Sequence, residues 1–163
     1  MSIDKKFIDQ FINVTSKAAL ASSYLVGKKD KISADKAAVD SMRSFLNKIN
    51  FKGEIVIGEG ELDEAPMLFI GENVGTKDGP DIDIAVDPVE GTNFVANNLP
   101  GALSVIAIAE KNNLFNAPET YMEKISAKVR EKGVIDLDYS VKKNIFNLSE
   151  YLNKKPESIT ACV

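Results

Sequence analysis

Apolar and acidic side chains alternate over residues 81–87, with Ala85 as the one interruption of the acidic positions. In an extended strand, successive side chains point to opposite faces of the sheet. The alternation therefore predicts a strand with one apolar face that packs into a core and one mainly acidic face. The apolar face consists of Ile82, Ile84 and Val86, and the other face of Asp81, Asp83, Ala85 and Asp87.

The acidic face of this strand lacks a local counter-charge. No Lys or Arg lies between Lys77 and Lys111. A buried carboxylate needs a partner, because water no longer solvates its charge. The positive charge must come from a distant part of the chain, from solvent or from a bound cation, and we take the bound cation as the hypothesis to test.

Two helices are predicted before the acidic strand, because apolar residues recur there at helical spacing. The first covers about residues 5–26 and ends at Gly27. The second covers about residues 34–48, with Ser33 as its N-cap and Asp35 in its first turn. The inner face of the second helix is predicted to carry Ala37, Ala38, Met42, Phe45 and Leu46.

Shorter apolar runs between turn residues predict further strands. Thr92 and Asn93 are suited to begin a short helix, residues 141–152 have the spacing of a longer one, and residues 119–125 fit either a strand or a helical turn. Because the sequence stops within the last predicted strand, we expect the chain to be a truncated piece of a longer protein. The predicted strands are residues 54–57, residues 66–70 as their antiparallel neighbour, residues 103–109 as a buried strand, residues 135–138 as an edge strand, and residues 159–163.

The composition excludes several classes of function. The 163 residues carry a net charge of −4, which does not favour non-specific nucleic-acid binding. The absence of His excludes Ser-His-Asp and Cys-His catalysis within the chain, and the single Cys excludes an intrachain disulfide. The start of the sequence lacks an apolar signal core, and the longest apolar run, residues 105–109, is too short to span a bilayer. We expect a cytoplasmic protein.

Acidic residues cluster at three places along the chain. Glu59 and Glu61 directly follow a predicted strand, Asp83 and Asp87 lie on the acidic strand that runs on to Glu90, and Asp35 lies near a helix start. A site made only of Asp and Glu suits Mg²⁺ or Mn²⁺, because these hard cations prefer oxygen ligands. Two such ions can clamp a phosphate and activate a water for in-line attack.

Residues 91–93 add a second part to this hypothesis. Gly91 turns the chain from the strand into a helix, whose first backbone N–H groups can hold an anion. The hydroxyl of Thr92 is suited to position an attacking water. A strand ended by Pro, acidic residues and a Gly-Thr helix start are each needed by a cation–phosphate site, and their occurrence together favours a function for residues 87–92.

Each acidic residue also has a purely structural interpretation. Asp35 alone would complement the dipole of its helix. Glu59 between two glycines would be a solvated turn residue. Asp83 and Asp87 could lie on the exposed face of an edge strand, an arrangement that the following Pro88 would fit.

The motif at residues 87–92, Asp-Pro-Val-Glu-Gly-Thr, resembles the Asp-Pro-(Ile/Leu)-(Asp/Glu)-Gly-(Thr/Ser) motif of the metal-dependent, lithium-sensitive sugar and inositol phosphatases. Residues 55–68 are more specific and look like the class II fructose-1,6-bisphosphatases of bacteria. Residues 34–39 and 116–124 resemble the same family, so that the resemblance covers the whole chain.

The resemblance implies an α/β (α+β) fold, the layered αβ sandwich of the carbohydrate phosphatases, with residues 1–163 as its N-terminal half. It also implies a metal-dependent hydrolysis of the 1-phosphate of fructose 1,6-bisphosphate to fructose 6-phosphate, a gluconeogenic step. The implied cofactor is Mn²⁺ or Mg²⁺, the implied partner is a small sugar bisphosphate, and full-length members are expected to be homo-oligomers.

The resemblance further implies roles for individual residues. Asp35 and Glu59 would bind one divalent cation, and Asp87 and Glu90 would bind a second. The substrate would contact Glu90, Gly91, Thr92 and Tyr121. Thr92 and Glu61 would take part in catalysis, and Glu61, Asp63 and Asp83 would be outer-sphere groups.

The sequence leaves two alternatives to this function open. The family continues into a second half that supplies a further metal-ligating Glu and basic residues for the substrate's other phosphate, and Arg43 and Arg130, the two arginines here, lie outside the acidic motifs. The chain could therefore be an inactive or weakly active fragment that binds metal and phosphate without turnover. A sedoheptulose-1,7-bisphosphatase is the second alternative, whereas residues 59–67 argue against inositol and nucleotide phosphates.

Overall fold

The computed structural model describes residues 5–59, 67–115 and 122–161. The chain divides into two compact units, Met1–Ala117 and Pro118–Val163. The described residues form an α+β fold with a four-stranded mixed sheet, consistent with the predicted layered αβ sandwich. The candidate site lies in the first unit.

Two long helices begin the first unit, α1 (Lys6–Ser23) and α2 (Lys31–Leu46). Both predicted helices are therefore present. Helix α1 ends before the predicted Val26, and the chain then turns through Gly27, whose φ of 76° suits a residue without a Cβ.

The predicted N-cap of α2 was wrong. Asp30 caps the helix, and its Oδ1 accepts a hydrogen bond of 2.9 Å from the Ser33 amide. The Ser33 hydroxyl donates to the other carboxylate oxygen at 2.7 Å. An aspartate offers two acceptor oxygens and can therefore satisfy both donors at once. The helix begins three residues earlier than predicted, which places Asp35 beyond its first turn.

The sheet contains β1 (Lys52–Ile57), β2 (Asn73–Val74), β3 (Asp81–Glu90) and β4 (Leu103–Glu110), in the order β2-β1-β3-β4. Strand β3 runs parallel to β1 and antiparallel to β4. The acidic strand is therefore internal, and the edge-strand interpretation of Asp83 and Asp87 was wrong.

One predicted strand is replaced by a shorter one. Of residues 66–70, residue 66 lies outside the described ranges, and residues 67–70 form no strand. The antiparallel neighbour of β1 is β2, which pairs Val74 with Gly53. Residues 67–72 contact β1 only at separate points, such as the 2.7 Å bond from the Gly71 amide to the Ile55 carbonyl, so no regular ladder forms.

Helices α1 and α2 pack on one face of the sheet and enclose the core of this unit. The apolar side of β3 faces this core, as the alternation predicts. The expectation that β4 is buried was wrong, because β4 alternates between partly buried and exposed residues, with Val105 43% exposed. The buried part of the core includes Phe11, Val14, Ala38, Met42, Leu46, Phe51, Ile55, Ile82, Ile84 and Val86.

A short helix, α3 (Thr92–Asn97), follows β3 in the first unit, so the predicted short helix is present. The second unit contains α4 (Val141–Tyr151), which confirms the predicted helix and is capped by Ser140. Residues 135–138 form a turn and not the predicted edge strand, because Asn144 bonds both backbone groups of Asp136. Residues 159–161 are not a strand either, and residues 162–163 lie outside the described ranges. Of residues 119–125, the described part, residues 122–125, has no regular structure.

Candidate active site

Strand β3 ends in a local irregularity that shapes the site. Its pairing with β4 shifts by one residue between Asp87, opposite Val105, and Glu90, opposite Leu103. In a regular strand, residues three apart point to opposite faces. The shift is a bulge, which re-aims side chains at the end of a strand. It turns the carboxyl group of Glu90 toward Asp87, and a hydrogen bond with Glu90 helps to raise the pKa of Asp87.

The chain turns sharply after Glu90. Gly91 has a φ of 86° and is the N-cap of a short helix, α3 (Thr92–Asn97). A Cβ at Gly91 would lie 2.9 Å from the Phe94 ring, so both conformation and space favour glycine. The helix's own hydrogen bonds begin with the 2.8 Å bond from the Phe94 amide to the Gly91 carbonyl. The amides of Thr92 and Asn93 come before the first of these bonds, at the helix start that was predicted to hold an anion.

A third carboxylate, that of Asp35, contributes to the electrostatics around Asp87. The pKa of Asp87 is raised to about 6, mainly by burial and next by the hydrogen bond with Glu90, with further contributions from the negative charges of Glu90 and Asp35. Burial also raises the pKa of Asp35. Helix α2 and strand β3 therefore bring together carboxylates that lie more than fifty residues apart in the sequence.

Within the part of the chain that the structure describes, two buried carboxylate oxygens have no hydrogen-bond partner, Asp35 Oδ1 and Asp87 Oδ1. A buried, charged oxygen without a partner is costly, and a hard cation would offset that cost. The donor set therefore fits Mg²⁺ or Mn²⁺. In residues 5–59, 67–115 and 122–161, no group of three or more Asp, Glu, Cys or His side chains is close enough together to hold a metal ion. The carboxylates of Asp35, Asp87 and Glu90 therefore do not form a complete coordination site in this structure.

Glu59 lies on the same edge of the sheet as Glu90. Strands β1 and β3 are parallel, so their carboxyl ends share one edge, and Glu59 follows the end of β1. The Glu59 amide donates a 3.1 Å hydrogen bond to the Leu68 carbonyl. The predicted pairing of Glu59 with Asp35 stays a prediction, because the carboxylate of Glu59 is not part of a close cluster among the described residues.

Asp83 has a structural contact of its own. It is only 4% exposed, and its Oδ2 accepts a 2.5 Å hydrogen bond from the Asn112 amide. This bond joins β3 to the turn that follows β4. The predicted outer-sphere role of Asp83 stays a prediction. Glu61, Asp63 and Tyr121 lie outside the described residues.

Sequence reasoning gave no role to Arg43. Its guanidinium pairs with the Glu72 carboxylate, with 2.6 Å between Nε and Oε1. The two residues are 29 positions apart, and no local pattern joins them. The available signal was composition alone, because Arg43 is the single arginine before residue 130.

A comparison with known protein families decides the relationship. The model of the family described as "Bacterial fructose-1,6-bisphosphatase, glpX-encoded" matches residues 5–163. The chain belongs to this family. The resemblance predicted from the motif at residues 87–92 and its neighbours is thereby confirmed.

Curated relatives in this bisphosphatase family are named "D-fructose 1,6-bisphosphatase class 2/sedoheptulose 1,7-bisphosphatase". The protein of Synechococcus sp. (strain CC9902) is 48% identical over 161 residues, which are 99% of this chain and 48% of that protein. The protein of Synechococcus sp. (strain RCC307) is 50% identical over 150 residues, 92% of this chain and 45% of that protein. The protein of Prochlorococcus marinus (strain MIT 9303) is 47% identical over 161 residues. The chain spans about half the length of the curated relatives it matches.

Across the described residues, no helix is both long and apolar enough to cross a lipid bilayer.

Proposed function

We propose that this chain supplies the cation- and phosphate-binding part of a phosphatase that hydrolyses the 1-phosphate of fructose 1,6-bisphosphate to fructose 6-phosphate. Family membership supports the substrate class. One observation on the chain itself carries the proposal: the approach of Asp35, Asp87 and Glu90, with two buried carboxylate oxygens that lack a partner in the described ranges. Without a cation such an arrangement costs free energy of desolvation, and with one the carboxylates serve as ligands.

The carboxylates would hold two divalent cations, Mn²⁺ or Mg²⁺. In this proposal Asp35 and Glu59 hold the first, and Asp87 and Glu90 the second. When bound, the cations neutralise the charge of the phosphate and lower the pKa of a coordinated water. The pKa of Asp87 is raised to about 6 in the absence of cations, and Asp87 must lose its proton before it can serve as a ligand.

The turn after β3 would hold the phosphate to be removed. Glu90, Gly91 and Thr92 line this turn, and the amides of Thr92 and Asn93 precede the hydrogen bonds of α3. In the proposed mechanism these amides orient the phosphate oxygens, and the Thr92 hydroxyl orients the attacking water. The predicted roles of Glu61 in catalysis and of Tyr121 in substrate binding stay part of the proposal.

Sedoheptulose 1,7-bisphosphate is a second candidate substrate. The printed names of the relatives contain both bisphosphatase activities. Both substrates carry a phosphate ester on carbon 1, which the same turn could hold. A comparison of kcat/KM for the two sugars measures the preference.

A second candidate function is cation and phosphate binding without turnover. The observation that favours it is the fraction of the relatives' length that the chain spans, about half. Of the two arginines, Arg43 is held by Glu72, so the chain offers at most one further guanidinium for a second phosphate. Homo-oligomerisation and a cytoplasmic location also stay predictions.

Release of inorganic phosphate from fructose 1,6-bisphosphate in Mn²⁺ tests the proposal. We expect cation-dependent release that Asp87→Ala reduces at least about 100-fold, because the variant lacks a proposed ligand. Asp9→Asn, an exposed change on α1, is the matched control and should keep full activity. Folded protein that binds Mn²⁺ but releases no phosphate would support binding without turnover, and activity unchanged in Asp87→Ala would overturn the site.

A further inference from the structure

Arg43 on helix α2 holds both ends of a short segment, residues 67–72. Its Nε and Nη2 lie 2.6 and 3.0 Å from the two carboxylate oxygens of Glu72. Nη2 also donates a 2.5 Å hydrogen bond to the Met67 carbonyl. Both side chains are largely shielded from water, with Glu72 12% and Arg43 27% exposed. A bidentate Arg–carboxylate pair in this environment fixes the orientation of the two side chains as well as the distance between them.

The segment held by Arg43 contacts the start of the loop that carries Glu59. The Leu68 carbonyl accepts the 3.1 Å bond from the Glu59 amide. The same carbonyl lies so close to Gly58 that a Cβ there would be 2.2 Å from its oxygen. The Glu72 carbonyl in turn accepts a 2.9 Å bond from the Ile55 amide of β1. Residues 67–72 therefore set the direction in which the chain leaves β1.

We propose that Arg43 is a positioning residue, which holds Glu59 at a fixed place relative to Asp35 by clamping residues 67–72 onto helix α2. Asp35 and Arg43 lie on the same helix. By holding residues 67–72, Arg43 therefore fixes the position of Glu59 relative to the helix that carries Asp35. The inference rests on the proposed function, in which Asp35 and Glu59 share one cation. It adds a role for two residues, Arg43 and Glu72, that are not among the proposed ligands.

The geometry requires arginine and not merely a positive charge. A guanidinium donates in parallel to both oxygens of Glu72 and reaches the Met67 carbonyl as well. A lysine ammonium is a compact charge that cannot present this planar fork. Arg43→Lys therefore keeps the charge balance with Glu72 while it loosens the segment.

The test measures binding of Mn²⁺ alone to the metal-free chain by titration calorimetry. We expect Arg43→Lys to weaken Mn²⁺ binding about 10-fold, the size typical of groups that orient metal ligands. The same change in a Glu59→Gln background should cause no further loss, because the ligand that it positions is already absent. Lys111→Met, which breaks the exposed Lys111–Glu54 pair, is the control and should leave the affinity unchanged.

Thermal unfolding in EDTA shows whether each variant is folded. Should Arg43→Lys unfold, Glu72→Gln replaces it, since the amide keeps the shape and loses only the charge-assisted pairing. Equal affinity of wild-type and folded Arg43→Lys protein overturns the positioning role. An equal loss in the wild-type and Glu59→Gln backgrounds also overturns it, because it indicates general destabilisation. Mn²⁺ binding that neither Glu59→Gln nor Asp87→Asn weakens would instead overturn the proposed function.

Discussion

Asp87 and Glu90 lie three residues apart on one strand, and their carboxyl groups meet because β3 shifts its register against β4 between them. The two acids belong to the same motif, but adjacency in sequence does not bring them together. The bulge brings them together, and directly after it the chain turns at Gly91 into helix α3.

The stability of the metal-free protein should fall as the pH rises through the titration of Asp87. Its pKa is raised in the folded state from 3.8 to about 6, so the folded state favours the protonated form. The resulting contribution to stability is complete below pH 3.8 and is lost as the pH rises through about 6. Asp87→Asn removes this loss, and the variant should therefore gain stability relative to the wild type between pH 4 and 7.

Melting temperatures in EDTA across that range measure this effect. Asp9→Asn, which changes an exposed acid on α1, serves as the control and should follow the wild-type profile. Parallel profiles for wild type and Asp87→Asn would contradict the raised pKa.

Divalent cations should stabilise the folded chain. A cation that binds only the folded state at 100 times its Kd adds about 2.7 kcal/mol to the free energy of unfolding. Mn²⁺ should raise the melting temperature of the wild type and have much less effect on Asp35→Asn and Asp87→Asn, because each variant replaces a carboxylate that has an unpartnered buried oxygen by a neutral amide. An equal Mn²⁺ effect on all three proteins would place the cation elsewhere.

The cap of α2 gives a pH-dependent prediction away from the site. Hydrogen bonds from Ser33 lower the pKa of Asp30. The contribution of Asp30 is therefore present above its unfolded pKa of 3.8 and is lost as the pH falls through the lower folded value. Asp30→Ala should lower the melting temperature at pH 7, and Asp30→Asn, which keeps an acceptor, should lower it less. A difference between Asp30→Ala and the wild type that does not shrink in acid would contradict this assignment.

Gly58 should not tolerate alanine. The added Cβ would lie 2.2 Å from the backbone oxygen of Leu68, and residues 67–72 would have to move. We expect a loss of about 1–3 kcal/mol in the free energy of unfolding, as for other overpacked positions, together with weaker Mn²⁺ binding.

Gly71→Ala is the matched control for this change. Nothing lies within 4 Å of a Cβ at Gly71, and its cost comes from a φ of 91° alone. Gly71→Ala should lose stability without a comparable loss of Mn²⁺ affinity. Similar losses of affinity in both variants would show that the contact between Gly58 and Leu68 has no special role.

The sequence predicted those features that depend on neighbouring residues. The alternation around Ile84 correctly indicates which side of β3 is buried, because strand periodicity is local. The resemblance of residues 87–92 correctly indicated the family. The role of Asp35 as a ligand stays a prediction, and its predicted place in the first turn of the helix was wrong.

Features that depend on distant packing were not predicted. The apolar residues of β4 suggest burial, but exposure of Val105 depends on what covers that side of the sheet. Residues 67–70 have a strand-like composition, yet the Arg43 clamp and the close contact at Gly58 hold them in another conformation. Ser33 is a common cap residue, and only the structure shows that Asp30 takes that place.

Helix α2 carries Asp35 directly and Glu59 indirectly, through Arg43 and residues 67–72. Asp87 belongs to a different element, the strand β3. Residues 67–72 also bond to β1, which pairs with β3, so the Arg43 contact ties α2 to the sheet at this edge. A displacement of α2 relative to the sheet would strain this contact, and the seating of the helix is therefore mechanically coupled to the loop that carries Glu59.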